Sequence, residues 1–223
     1  DADGGSADVL ASTSQSDFGA IFSGSASFQE ELDTDLVAGL SEVDETDLVG
    51  GFGQAEYRLG KHHTVSFGGG VSAFERIGNR PVQGAVRKRS AEDERSEVYL
   101  RYEGNDQADL SWAAQANWSR FDSDIRFDPA AVETDSGDRQ TLAQLEGQIN
   151  WDLDSLGTLI AGADYREEEL DDFDLPVRAD IANSGGFIQL DAMLGQRTNI
   201  IVGIRGDRHS VFGSNFAPRV AVV

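Results

Sequence analysis

The sequence predicts an all-β protein, an antiparallel up-and-down transmembrane β-barrel with about nine to eleven strands. Three observations support this fold class. Apolar residues recur at every second position, short connections alternate with long ones, and aromatic residues lie on apolar positions near the short connections. A period of 2 indicates strands with one apolar and one polar face. Loops sorted by length are typical of membrane barrels.

The composition limits the function classes. The 223 residues carry 18 Lys and Arg against 40 Asp and Glu, a net charge of −22, so nucleic acid is not an expected partner. Because the chain has no Cys, disulfides, Cys-ligated zinc and thiol catalysis are excluded. Apolar runs are only a few residues long, so no transmembrane helix of about 20 residues fits the sequence.

The elements follow from the alternation in chain order. Residues 1–17 are rich in Asp, Ser, Ala and Gly without a sustained period, and we expect a weakly ordered leader or loop there. Residues 18–223 form the predicted barrel segment. Its strands are predicted at 18–28, 52–59, 64–73, 96–103, 109–121, 140–153, 159–168, 186–195 and 198–208, with 34–43 as a further strand of ambiguous parity.

The apolar positions carry few bulky side chains. In 109–121 they are Leu110, Trp112, Ala114, Ala116 and Trp118, and Ala and Gly are equally common in the other strands. A soluble sandwich needs bulky residues that interdigitate between two sheets. A lipid-facing surface needs only to be apolar, so the sequence favours a membrane barrel over a soluble sandwich.

The connections divide into two classes. The short ones lie at 60–63, 104–108, 152–156 and 196–197, and the long ones at 75–94, 122–138, 169–185 and 209–215. Consecutive hairpins put all short turns at the periplasmic end and all long loops at the outer end. An aromatic girdle is expected near the short turns, at Tyr57, Tyr102, Trp112 and Trp151, and a second at the outer rim, at Trp118 and Tyr165.

Residues 158–222 carry a recognisable set of strand motifs. They are a G-x-x-Y-R-x-E strand (Gly162, Tyr165, Arg166, Glu168), a strand with Phe187, Gln189 and Asp191, a G-x-R-x-D-x-H strand (Gly203, Arg205, Asp207, His209) and F-x-P-R (Phe216, Pro218, Arg219). This segment resembles the mid-barrel of TonB-dependent outer-membrane receptors, and 52–70 agrees loosely with the same family.

The resemblance implies a receptor in the bacterial outer membrane that takes up a scarce nutrient, such as a ferric siderophore or cobalamin. Its implied partners are outer-membrane lipid, lipopolysaccharide, the remainder of the barrel, a plug domain, and the TonB complex acting through that plug. The chain shows no plug-like stretch and about half the strands of such a barrel, so we expect a barrel segment. The alternatives are a small passive or structural barrel, and a soluble acidic β-domain for adhesion or glycan binding.

Cations are concentrated in the long loop predicted for 75–94. Charge-assisted hydrogen bonds from them could hold an anionic ligand, either a ferric siderophore or lipopolysaccharide phosphates. The candidate ligand-binding residues are Arg76, Arg80, Arg87, Lys88 and Arg89. The alternative is a solvated loop whose cations pair with the acidic residues at 92–94.

No enzymatic constellation is present in the sequence. His209, Ser210 and Asp207 have the residue types of a triad but crowd into four positions, and no cofactor is expected. The acidic stretch 167–174 offers oxygen ligands for calcium, since some cobalamin receptors of the resembled family use such loops. The weak calcium candidates are Glu169, Asp171, Asp172 and Asp174. They lack the D-x-D-x-D-G spacing, so a solvated acidic run is the favoured alternative.

Overall fold

The computed structural model describes residues 4–30, 45–82, 85–106, 109–128, 136–172, 177–195 and 197–222. Within these ranges the chain forms one sheet of eleven antiparallel strands. They are β1 (Gly4–Gln15), β2 (Phe18–Gln29), β3 (Glu45–Leu59), β4 (His63–Val82), β5 (Ala85–Asp106), β6 (Leu110–Asp128), β7 (Ser136–Asp152), β8 (Thr158–Asp172), β9 (Val177–Leu194), β10 (Thr198–His209) and β11 (Gly213–Val222). Each strand pairs only with its neighbours in sequence, which confirms the predicted up-and-down topology. None of the described helical segments is long and apolar enough to cross a membrane.

The register places the apolar positions of all strands on one face, the apolar face. Trp151 of β7, for example, lies opposite Leu110 of β6 and Leu159 of β8. Large side chains on this face are open, with Leu145 57% and Trp151 49% exposed. No second layer covers the sheet in the described ranges, where the buried hydrophobic core consists of Ala91 alone. The sheet therefore lacks the core that the soluble alternative requires.

The outer limit of the apolar face climbs from strand to strand. It lies at Tyr165 in β8, next to Glu167, and at Val49 in β3, next to Asp47. The register carries the row of Tyr165 across five strand steps to Ala55 of β3, six residues from Val49. With about 3.3 Å per residue and about 4.8 Å between strands, this slope corresponds to a strand tilt of about 40°. Membrane barrels have tilts of about 35–45°.

The short turns are confirmed at one end of the sheet. They join β3 to β4, β5 to β6, β7 to β8 and β9 to β10, and a further turn joins β1 to β2. Gly60 and Gly195 adopt positive φ angles of 72° and 73°, which glycine reaches without steric cost. A three-residue 3-10 helix, Asp154–Leu156, lies in the β7–β8 turn.

The predicted long loops at 75–94, 122–138, 169–185 and 209–215 are wrong as loops. The strands continue through most of these segments, so that β4 extends to Val82 and β5 begins at Ala85. Backbone pairing does not require one apolar face. Beyond the lipid both faces of a barrel wall meet water, so the apolar alternation that marked the strands ends before the strands do.

The predicted leader at 1–17 is also corrected by the structure. Gly4–Gln15 forms β1, which pairs with β2 along its whole length. Ala7, Val9 and Ala11 form a short apolar series at alternate positions, which the Ser, Gly and Asp content obscured. The predicted strand at 34–43 lies outside the described residues.

Candidate functional site

The two faces of β6 exchange polarity beyond Trp118. Up to Trp118 the apolar face follows the predicted pattern, but further out it carries Arg120, Asp122, Asp124, Arg126 and Asp128. Over the same stretch the opposite face, the polar face, carries Phe121, Ile125 and Phe127. Charges on the outward side are expected where the wall leaves the lipid. Aromatic rings on the inward side serve no contact with lipid there.

The neighbouring strands bring cations to the same place. In the β5–β6 register Arg89 lies opposite Phe127, and Arg95 lies opposite Phe121. We call this region the outer-mouth surface and define it by its polar-face residues on β4, β5 and β6, namely Phe74, Arg76, Arg87, Arg89, Asp93, Arg95, Phe121, Ser123, Ile125 and Phe127.

Arg76 is held in a fixed position on the outer-mouth surface. One of its terminal guanidinium nitrogens donates to Oδ2 of Asp93 at 3.1 Å, and Ser123 Oγ donates to Oδ1 of the same carboxylate at 2.7 Å. The guanidinium carbon lies 5.1 Å from the centroid of the Phe74 ring, within the range of a cation–π contact. Arg76 Nε is buried and has no hydrogen-bond partner in the described part of the chain. Asp93 and Ser123 therefore orient a cation that retains hydrogen-bonding capacity.

The structure separates the predicted ligand-binding residues into two groups. Arg76, Arg87 and Arg89 share the polar face, whereas Lys88 lies on the other face, opposite Asn79 and Asp128. Arg80 lies opposite Arg87 in the register, and its side chain is outside the described residues. Alternating side-chain direction explains this division, because adjacent residues of one strand point to opposite faces. Sequence reasoning missed Phe121, Ile125 and Phe127 because it treated 122–138 as a loop; the switch of apolar parity after Trp118 is the signal that marks them.

The calcium candidates do not converge on one face. Glu169 and Asp171 share the outward face of β8, and Asp172 faces the other way. Arg178 pairs with Glu169 and lies 3.8 Å from the Asp171 carboxylate, an arrangement that raises the pKa of its guanidinium. Asp174 lies outside the described residues. Within those residues no group of three or more His, Asp and Glu side chains is arranged to hold a metal ion, and a site that includes Asp174 stays a prediction.

The outward face beyond Trp118 carries a shared ion pair. Arg120 Nε lies 2.5 Å from Oδ2 of Asp122, and Arg139 Nε lies 2.6 Å from its Oδ1. The hydrogen bond from Arg120, with a further one from Arg139, lowers the pKa of Asp122 below its ordinary value. Paired charges in this position fit a wall that has left the hydrocarbon.

The polar face nearer the short turns is hydrated and charged. A cavity of about 800 Å³ opens there between β3 and β10, and Arg58, Arg101, Glu103, Gln148 and Arg205 are among the residues that line it. Arg205 reaches across β9 to Asp164 of β8 at 2.8 Å. This contact is possible because Gly185 lies between them, where a Cβ atom would approach Arg205 to 2.5 Å.

The family of the chain follows from a comparison of its sequence with family models. Residues 43–223 match the family described as TonB dependent receptor-like, beta-barrel. The chain belongs to this family. Its fold class and the resemblance noted for 158–222 are thereby confirmed, and the family is one of receptors rather than of enzymes. A search of curated proteins finds no match.

Solved receptor structures have the same fold. A ferric enterobactin receptor (PfeA) variant from Pseudomonas aeruginosa aligns with a TM-score of 0.77 and 15% identity over 98% of this chain and 39% of its own. The siderophore receptor PirA from Pseudomonas aeruginosa gives 0.69 and 16% over 97% and 36%. The RagAB peptide importer gives 0.68 and 14% over 95% and 33%. The chain spans about two fifths or less of these proteins, and at such identities the likeness concerns the fold alone.

Proposed function

We propose that this chain forms part of the barrel of an outer-membrane receptor that binds an anionic small-molecule nutrient at its outer mouth. The observation that carries the proposal is the outer-mouth surface, where Arg76, Arg87, Arg89 and Arg95 share one inward face in a chain of net charge −22. Against that background a local group of guanidinium groups provides charge-assisted donors for an anion. A ferric siderophore is the first substrate to test, because two of the similar structures are siderophore receptors.

Import would require parts outside this chain. The family supports a plug inside a larger barrel, and energy would come from the TonB complex pulling on that plug rather than from hydrolysis. The exposed apolar face would contact outer-membrane lipid, with Tyr57, Trp151, Trp118 and Tyr165 at the two borders of the hydrocarbon. The charged outward surface beyond Trp118 would stand at the level of lipopolysaccharide.

The experiment is uptake of radioactive iron by cells that lack the gene and carry the full-length receptor on a plasmid. We expect uptake of one or more ferric siderophores that depends both on the receptor and on TonB. Uptake that continues without TonB would contradict the proposal and favour a passive pore. Receptor-dependent uptake of peptides but of no iron chelate would contradict the assignment of the substrate.

A pair of variants links uptake to the outer-mouth surface. Arg89→Gln removes a cation from it, and Arg101→Gln removes one from the polar face nearer the short turns, where Arg101 pairs with Glu103. Loss of a charged hydrogen bond to the ligand is expected to weaken binding by about tenfold or more for Arg89→Gln. We expect Arg101→Gln to bind as the unaltered receptor does. Equal affinities for both variants would dissociate the ligand from the outer-mouth surface.

A further inference from the structure

The outer-mouth surface combines aromatic rings with guanidinium groups, and folding accounts for neither. Its rings lie on the face turned away from lipid, and the described ranges contain no second layer for them to pack against. Phe121 remains 36% exposed. Exposed aromatic side chains that are grouped with convergent polar groups are typical of binding surfaces.

We propose that the outer-mouth surface recognises negatively charged ligands built from planar aromatic rings, and that Phe121 and Phe127 are its specificity-determining residues. The inference rests on the proposed function and names the chemical class of its ligand. An iron chelate made of catecholate rings belongs to this class, whereas carboxylate and hydroxamate chelates without rings do not.

The pairing of residues across the strands supports this class. Phe121 and Phe127 each lie directly opposite an arginine, Arg95 and Arg89 respectively, so a ring and a cation repeat side by side along β5 and β6. A bound aromatic ring can stack on a phenyl group while its anionic oxygen accepts hydrogen bonds from the adjacent guanidinium. A guanidinium is itself planar and stacks on aromatic faces, as Arg76 does with Phe74.

The charges of the region favour an anion over a neutral aromatic ligand. Four arginines of the outer-mouth surface face one carboxylate within it, Asp93, and Arg95 pairs with the neighbouring Glu97 at 2.8 Å. The excess of cations would remain uncompensated with a neutral ligand. Aliphatic anions would satisfy the guanidinium groups but leave Phe121 and Phe127 exposed to water.

The test uses the purified full-length receptor and three iron chelates. They are a ferric complex of 2,3-dihydroxybenzoylglycine, which is anionic and aromatic, ferric dicitrate, which is anionic without rings, and a neutral ferric trihydroxamate. We expect the aromatic chelate to bind at least tenfold more tightly than ferric dicitrate. Phe121→Leu and Phe127→Leu should each weaken the aromatic chelate by about fivefold to tenfold and leave ferric dicitrate unchanged.

Phe67→Leu provides the matched control, because this ring lies on the apolar face and is 57% exposed toward lipid. Its affinity for the aromatic chelate should equal that of the unaltered receptor. Equal binding of all three chelates, or insensitivity of the aromatic chelate to both leucine variants, overturns the inference. If TonB-dependent uptake of an anionic nutrient persists in that case, the proposed function stands and only the ligand class is wrong.

Discussion

The assignment of the two faces can be tested by placing one charge on either side of the same strand. On β6 the apolar face spans Leu110 to Trp118, and Ala114 is its midpoint, four residues from each limit. Four residues cover about 13 Å along the strand, and at a tilt of about 40° they cover about 10 Å of depth. Ala114 therefore lies near the middle of the hydrocarbon. Ala113 is adjacent but belongs to the polar face, opposite Glu103 and beside the cavity of about 800 Å³.

Ala114→Arg should lower the free energy of unfolding by about 3 kcal/mol, because arginine at the bilayer midplane of a barrel costs about 2–4 kcal/mol. Ala113→Arg makes the same chemical change in hydrated space next to a carboxylate and should cost about 1 kcal/mol or less. The measurement is urea unfolding of the full-length receptor in phospholipid vesicles, followed by tryptophan fluorescence. The two variants should differ by well over tenfold in the folding equilibrium. If Ala113→Arg is as destabilising as Ala114→Arg, the apolar face does not contact lipid.

Two further predictions concern single contacts. Because its pKa is lowered in the folded state, Asp122 contributes stability above the unfolded value of 3.8 that is lost as the pH falls through the lower folded value; Asp122→Asn should cost about 1 kcal/mol at pH 7, and the difference from the unaltered protein should vanish in urea titrations near pH 3. Gly162→Ala should cost about 1–3 kcal/mol in the same unfolding assay, since a Cβ there would approach the Phe187 ring to 2.6 Å, whereas Gly186→Ala, with its nearest contact at 3.7 Å, serves as control and should be close to neutral. A constant Asp122→Asn difference across this pH range, or equal costs for the two alanine variants, would contradict these contacts.

The membrane-embedded part of the fold could be predicted from the sequence because lipid imposes a strict pattern. Each strand there must be apolar on one side, so Trp112 and Ala114 of β6 alternate with Ser111 and Gln115, and the period of 2 is visible without coordinates. The same pattern identified the short turns, since alternation stops on both sides of them. β1 was missed because Ala and Gly on its outward side give a weak contrast with Ser on the inward side.

The outer ends of the strands were less predictable, since pairing there depends on the neighbouring backbone rather than on lipid. β4 and β5 continue as a hairpin as far as Val82 and Ala85, and charges occur on both of its faces. The candidate site was consequently located in the correct segment but with the wrong geometry. A loop would allow Lys88 and Arg89 to act together, whereas a strand turns them to opposite faces.

The slanted limit of the apolar face distinguishes a membrane from a protein partner as its cover. A flat bilayer crossing tilted strands must cut each successive strand at a shifted residue, in a constant direction, and the slope is fixed by the tilt. A second protein layer has its own outline and imposes no such relation. From Tyr165 in β8 to Val49 in β3 the limit never steps back, and its slope gives the tilt that barrels require. Because the same line runs past Trp118, it also places Phe121 and Phe127 above the hydrocarbon, where their inward direction has to be explained by what enters the mouth.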